Sequence, residues 1–137
     1  MIEIGPSIHG LKVGFADWNP SGECFRLLIN SPAFSVSEEI CPVGPDLGEF
    51  FRSLAIATST WATPLEWSSY RAIKRFLEIR ATCDPLGSVI IEFDLYYKII
   101  NGEVIWKIST KFKTEIGMLF EQFMPLAVEF GRRTAAR

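Results

Sequence analysis

Apolar and polar side chains alternate through most of residues 76–113, as in β-strands that bury one face and expose the other. Two turn signals interrupt the alternation. Asp84-Pro85-Leu86-Gly87 fits a type I turn with glycine at the left-handed position of a bulge, and Asn101-Gly102 favours a two-residue type I′ turn. The segment is therefore predicted to form about three antiparallel strands joined by hairpins.

Both turns place the same apolar side chains on one face, so the predicted register is self-consistent. The expected cross-strand pairs on that face are Leu77–Leu95, Ile79–Phe93, Ala81–Ile91, Ile91–Phe112, Phe93–Thr110, Leu95–Ile108 and Tyr97–Trp106. A slip of one residue would turn these side chains into water, which specifies the register strongly. We expect the face, with Trp106 included, to form the core with Phe50, Leu54, Phe120 and Phe123.

The opposite face of the same strands is predicted to carry charges. Arg80, Glu92 and Lys111 fall in one row across the strands, and Tyr96 lies opposite Lys107. The simplest interpretation is a solvated sheet face with weak surface ion pairs, each contributing about 0–1 kcal/mol. A carboxylate active site on this face is the alternative.

The N-terminal half predicts about three more strands, at residues 11–18, 24–30 and 34–40, with a turn at residues 19–22 between the first two. A helix should follow, because Asp46 is a good N-cap and Glu49 completes a pair resembling a capping box. Its apolar residues recur on one helical face, and they are Leu47, Phe50, Phe51 and Leu54.

A second helix is predicted to begin near Thr114 and to end near Gly131, ahead of Arg132 and Arg133. Pro125 removes a backbone donor and should kink or restart this helix. The apolar residues at helical spacing are Ile116, Leu119, Phe120, Phe123, Ala127 and Phe130.

These elements predict one α+β domain over residues 1–137, with about six antiparallel strands in a meander-like sheet and two helices packed on one face. Residues 134–137 are expected to fray.

Residues 61–70 separate the two halves and should be irregular, because Pro64 stops the first helix. Two interpretations of their aromatic side chains stay open. Trp61 and Trp67 either tuck under the segment and close the sheet edge, as tryptophan usually does, or form a binding lip. As a candidate interaction surface the segment comprises Trp61, Glu66, Trp67, Tyr70 and Arg71, and the competing sheet face comprises Tyr96, Lys107 and Lys111.

Composition narrows the class of protein. The chain has 137 residues, of which 48% are hydrophobic and 22% charged, as in globular proteins. A net charge of −2 gives no argument for a nucleic-acid partner. Three cysteines (Cys24, Cys41 and Cys83) without close spacing suggest reduced thiols. The chain shows neither a signal peptide nor a membrane-spanning apolar run, so we expect a cytoplasmic protein without a membrane partner.

The sequence has few residues that indicate catalysis, metal binding or phosphate binding. His9 is the sole histidine, and neither metal-ligand spacing nor a phosphate-binding loop is present. Glu92 and Asp94 share a strand face, but the neighbouring Arg80 and Lys111 would favour their ionised forms. The prediction is a non-enzymatic protein without a catalytic residue, cofactor or metal.

Two stretches of this chain resemble a known bacterial family of small proteins of unknown function. They are Gly44-Pro45-Asp46-Leu47-Gly48-Glu49-Phe50-Phe51 and Trp67-Ser68-Ser69-Tyr70, followed by Asp84-x-Leu86-Gly87-x-Val89 between two strands. That family is similar in layout to immunity proteins of the WapI type, which protect a cell from a polymorphic or contact-dependent toxin. The family often has His-Asp and Gly-His around the hairpin turn, where this chain has Cys83-Asp84 and Gly87-Ser88.

The resemblance implies a non-enzymatic protein-binding domain, and more specifically an immunity protein that neutralises a partner toxin. It transfers no catalytic residue. A small-ligand-binding or enzymatic domain with a pocket between helix and sheet is one alternative. A plain oligomerising protein is the other.

Overall fold

The computed structural model describes residues 1–7, 9–20, 23–41, 47–70, 74–98 and 103–135. They form two four-stranded antiparallel sheets and two α-helices. The predicted α+β class with antiparallel strands is therefore confirmed, whereas the prediction of one sheet of about six strands is wrong. The strands of the two halves do not pair in one meander. The N-terminal half forms one sheet, and the C-terminal half forms the other.

The N-terminal sheet is a meander in the order β1-β2-β3-β4. Its strands are β1 Ile2–Ile4, β2 Lys12–Ala16, β3 Phe25–Asn30 and β4 Ser35–Ile40. The last three strands lie within the predicted ranges. With three residues, β1 is too short for a pattern of alternation to reveal it.

The C-terminal sheet is a second meander in the order β5-β6-β7-β8. Its strands are β5 Leu65–Ser68, β6 Arg75–Cys83, β7 Ser88–Lys98 and β8 Val104–Glu115. The prediction that residues 61–70 are irregular is wrong for β5, which pairs with β6 through Trp67 opposite Ile79.

The predicted register of the C-terminal hairpins is confirmed. Leu77 lies opposite Leu95, Ile79 opposite Phe93, and every further predicted inner pair through Tyr97–Trp106 is present. Beyond that pair the register shifts, so that Lys98 faces Val104. The Asn101-Gly102 turn lies outside the described residues.

The turn between β6 and β7 follows from its sequence. Oδ1 of Asp84 accepts hydrogen bonds from the backbone N–H groups of Leu86 and Ser88, each at 2.9 Å. Gly87 has a φ of 89°, the left-handed conformation that glycine adopts without steric cost. The predicted bulge is therefore present.

Helix α1 spans Leu47–Ala55 and buries its predicted stripe, including Phe51 and Leu54. Asp46 lies outside the described residues. Helix α2 spans Leu119–Ala135 and follows a short 3₁₀ turn, Ile116–Met118.

The predicted limits of the second helix are wrong at both ends. Thr114 still belongs to β8, opposite Val89, because the hairpin register continues past the predicted helix start. The helix also continues past Gly131, where Arg132 and Arg133 both bond to Glu129 and stabilise the last turns. Pro125 lies inside the continuous helix and does not restart it. Residues 136–137 lie outside the described part of the chain.

One hydrophobic core receives side chains from both sheets and both helices. Phe93 of β7, Phe51 of α1 and Phe123 of α2 are fully buried there. Two predicted core residues lie elsewhere, since Phe120 is 61% exposed and Trp106 is 50% exposed. Leu119, the residue before Phe120, is the one that is buried. Trp106 lies in the last row before the register shift, where its ring stacks on Tyr97.

The N-terminal sheet contains a disulfide between Cys24 and Cys41. Phe25 pairs with Ile40, so the two cysteines occupy the next cross-strand position, with Cα atoms 4.5 Å apart. The expectation of three reduced thiols is therefore wrong, and Cys83 is the free cysteine. The cysteines were expected to be reduced, as in a cytosolic protein. The disulfide removes that support for a cytosolic location.

Within the described ranges, no helix has the length and apolar character that crossing a membrane requires.

Candidate interaction surface

The outward-facing side of the C-terminal sheet, hereafter the outer face, carries a row of alternating charges. Glu66 lies opposite Arg80, Arg80 opposite Glu92, and Glu92 opposite Lys111. Nε of Arg80 lies 3.6 Å from Oε1 of Glu66, and both side chains are exposed. The predicted three-residue row is confirmed, and β5 extends it by one carboxylate.

An aromatic stack lies four residues along the strands from this row. The rings of Phe76 and Tyr96 stack with centroids 4.6 Å apart and an interplanar angle of 5°. Nζ of Lys98 lies 5.4 Å from the Phe76 centroid, and Nζ of Lys107 lies 5.5 Å from the Tyr96 centroid. The ammonium groups and the ring faces attract each other, so the two rings lie between two cations. Phe76 is buried in this stack, and Tyr96 is its partly exposed ring.

The charged row and the aromatic stack border a depression of about 470 Å³. Its lining also includes Glu78 and Asp94, whose carboxylates lie between the charged row and the aromatic stack. Oγ of Ser109 donates a hydrogen bond to Oδ1 of Asp94. The outer face thus combines carboxylates, cations and aromatic rings in a single concave region.

The aromatic residues of the segment 61–70 have different environments. Trp67 is 8% exposed and faces the core from β5. Trp61 is partly buried, and its Nε1 donates a hydrogen bond of 3.3 Å to the Ala81 carbonyl oxygen. Tyr70 is 51% exposed, while Arg71 lies outside the described residues. The Trp67 ring therefore packs in the core beneath the sheet. Of the three aromatic residues in the segment, Tyr70 has the largest exposed fraction.

A second depression lies between helix and sheet. Its volume is about 470 Å³, and it is lined by Glu49, Phe50 and Ser53 of α1 and by Leu65–Ser68 of β5. The rings of Phe50 and Trp67 are buried, whereas Glu49 and Ser53 are exposed. This gives the depression an apolar floor and a polar rim.

A polar cluster joins the two sheets, and the sequence pattern did not reveal it. Glu38 of β4 lies opposite Leu27, and its side chain points inward. Its carboxylate accepts a hydrogen bond of 2.9 Å from the Tyr97 hydroxyl. Arg75 forms an ion pair with the same carboxylate. The Tyr97 ring also stacks on Trp106, with centroids 4.1 Å apart. Adjacent Glu38 and Glu39 do point to opposite faces, as their strand spacing requires.

Burial, followed by the hydrogen bond to the Glu38 carboxylate, raises the pKa of Tyr97 to about 12. Both causes favour the protonated phenol, because ionisation would place a second negative charge beside Glu38.

His9 is exposed in the turn that precedes Leu11. Among the described residues, no cluster of three or more His, Cys, Asp or Glu side chains has an arrangement that could hold a metal ion.

Comparison with known proteins returned no matching family model, no matching curated protein and no matching solved structure. The resemblance to WapI-type immunity proteins that the sequence motifs indicate therefore stays a prediction.

Proposed function

We propose that this chain is a non-enzymatic protein-binding domain and that its outer face contacts the partner. The observation that carries the proposal is the Phe76–Tyr96 stack between Lys98 and Lys107, set beside the row of alternating charges. Tyrosine is enriched at energetically important interface positions. Alternating charges also favour one orientation of a partner with complementary charges.

The more specific proposal is that the partner is a toxin and that this chain is its immunity protein. The resemblance described above supports it. A cytoplasmic location would suit that role and stays a prediction.

The test begins with binding. The wild-type chain, a Tyr96→Ala/Lys107→Glu variant and a Lys12→Glu control are used to capture proteins from bacteria that carry the gene. Lys12 is an exposed strand lysine of the other sheet, so its substitution matches the charge change. A specific partner should bind the wild type and the control and lose at least about tenfold in affinity for the outer-face variant. Equal affinity for all three would refute the outer face as the binding surface.

The toxin proposal needs a second step. Expression of the captured partner alone should arrest growth, and co-expression of the wild-type chain should restore it. The outer-face variant should protect less well. A partner that binds but does not harm the cell would refute the immunity role and leave the binding proposal standing.

The helix–sheet depression supports a second candidate, a small-ligand-binding domain. An apolar floor formed by Phe50 and Trp67 under a polar rim is typical of ligand pockets. Ser53→Trp would fill the depression and should abolish binding of any compound identified in a ligand screen. The same substitution should leave capture of a protein by the outer face unchanged.

A further inference from the structure

Helix α2 has a second apolar face, on the side away from the core. Phe120 and Val128 are each 61% exposed, and Met124, which is partly buried with one side against the core, lies between them at a spacing of four residues. Residues at this spacing lie above one another on a helix. These three residues are hereafter the outer stripe.

Both ends of the outer stripe are open. A Cβ atom added at Gly117 or Gly131 would meet no other atom within 4 Å. Between them the stripe borders an apolar depression of about 490 Å³ that Pro125 also lines. A contiguous exposed apolar surface of this kind is uncommon on a monomer and commonly marks an interaction site.

The charges beside the outer stripe favour one occupant. Glu121 near the beginning of α2 and Arg132 near its end are both exposed, and they lie on the same side of the stripe, about three helical turns apart. Arg132 also bonds through Nη2 to Glu129 of its own helix, and because Arg133 pairs with the same carboxylate, this end of α2 keeps one positive charge in excess. In an antiparallel pair of identical helices, Glu121 of each copy approaches Arg132 of the other. A parallel pair would instead place the two Glu121 side chains at one level and the two Arg132 side chains at another, so that no Glu121–Arg132 pair forms between the copies.

We infer that two copies of this chain associate through antiparallel packing of their outer stripes, with Met124 of one copy beside Val128 of the other. The apolar stripe forms the centre of the contact, and two reciprocal Glu121–Arg132 pairs form its rim. Gly117 and Gly131 leave space at each end of the stripe for the facing helix. The contact is separate from the outer face, because α2 packs through Phe123 against Phe112 on the opposite side of the sheet.

The expected association is weak. A stable interface buries about 800 Å² on each partner, and a single pair of short helices covers less than that. We therefore expect a dissociation constant in the micromolar range.

Sedimentation analysis of the full chain tests this inference, because the monomer mass is 15.5 kDa and the dimer has twice that mass. Between about 1 µM and about 500 µM, the wild type should shift from monomer to dimer. Val128→Asp, at an exposed position of the stripe, should remain monomeric while keeping its circular dichroism spectrum and melting temperature. A wild type that stays monomeric throughout, or a dimer that Val128→Asp does not weaken, would overturn the inference.

A charge exchange tests the orientation. Glu121→Arg should weaken the dimer by about tenfold, and the double variant Glu121→Arg/Arg132→Glu should recover most of the loss. Lys111→Glu, on the outer face, is the matched control and should leave the dimer unchanged. Failure of the double variant to recover would refute the antiparallel arrangement. None of these results depends on the proposed partner of the outer face.

Discussion

The Tyr97 hydroxyl donates a hydrogen bond of 2.9 Å to Oε1 of Glu38, and this bond joins strands of the two sheets. Arg75 contacts the other oxygen of the same carboxylate. The inward carboxylate therefore has partners for both oxygens, which offsets the free energy that its partial burial costs.

Tyr97→Phe should lower the free energy of unfolding by about 0.5–1.5 kcal/mol at neutral pH, because it removes the hydrogen bond and keeps the ring stacked on Trp106. Chemical denaturation measures the change. Tyr70→Phe is the control, since that ring is exposed. Equal losses in the two variants would show that the Glu38 contact contributes nothing.

The raised pKa of Tyr97 also predicts a dependence on pH. A phenol whose pKa is about 12 in the folded chain, above its ordinary value of 10.0, holds its proton more tightly when folded. Its contribution to stability is complete below pH 10 and disappears as the pH rises through 12. The wild type should therefore lose its advantage over Tyr97→Phe across that interval. A constant difference between the two unfolding curves would contradict the assignment.

Phe93→Ala should cost about 3–5 kcal/mol, because Phe93 is fully buried at the centre of the C-terminal sheet. Phe34→Ala is the matched control, since Phe34 is 41% exposed and its substitution should cost little. Denaturant unfolding of both variants measures the difference. A change within about 0.5 kcal/mol for Phe93→Ala would mean that the strand register is wrong.

Thiol titration should distinguish the three cysteines. The unfolded, unreduced chain should show one reactive thiol, from Cys83, because Cys24 and Cys41 are bonded to each other. Reduction should raise the count to three. Reduction or Cys24→Ser/Cys41→Ser should lower stability by up to about 3 kcal/mol, the value expected for a loop of this size. Three thiols before reduction would exclude the disulfide.

Glu129 should stabilise the end of α2 in a pH-dependent way. The hydrogen bond from Arg132, followed by that from Arg133, lowers the pKa of Glu129 from its ordinary value of 4.5, against the opposing effect of burial. The stabilisation is present above that ordinary value and is lost as the pH falls through the folded pKa. Glu129→Gln should therefore cost about 0.5–1 kcal/mol at neutral pH and almost nothing in acid. Glu39→Gln, at an exposed position, controls for the loss of a carboxylate elsewhere. A cost that persists in acid would argue against the ion pairs.

The candidate site was predictable where it depended on strand spacing. Alternation and turn chemistry were sufficient to place Arg80, Glu92 and Lys111 in one row and Tyr96 opposite Lys107. Glu66 joined that row only through the pairing of β5, whose four residues are too few to define a period. Burial of Trp67 was the favoured interpretation on sequence grounds, since tryptophan is usually buried, but only the pairing of β5 decided which way the ring points.

The sequence by itself determined the local structure, because backbone period and turn residues act over a few positions. It specified the register of β6, β7 and β8, the turn at Asp84 and the inward stripe of α1. Only the tertiary structure decided the division into two sheets, the Cys24–Cys41 bond and the exposure of Phe120 and Trp106. These features depend on how far each sheet or helix is covered by the elements packed against it. A strand or helix pattern defines which side chains share a face, and the packed neighbour defines how far along that face they are buried.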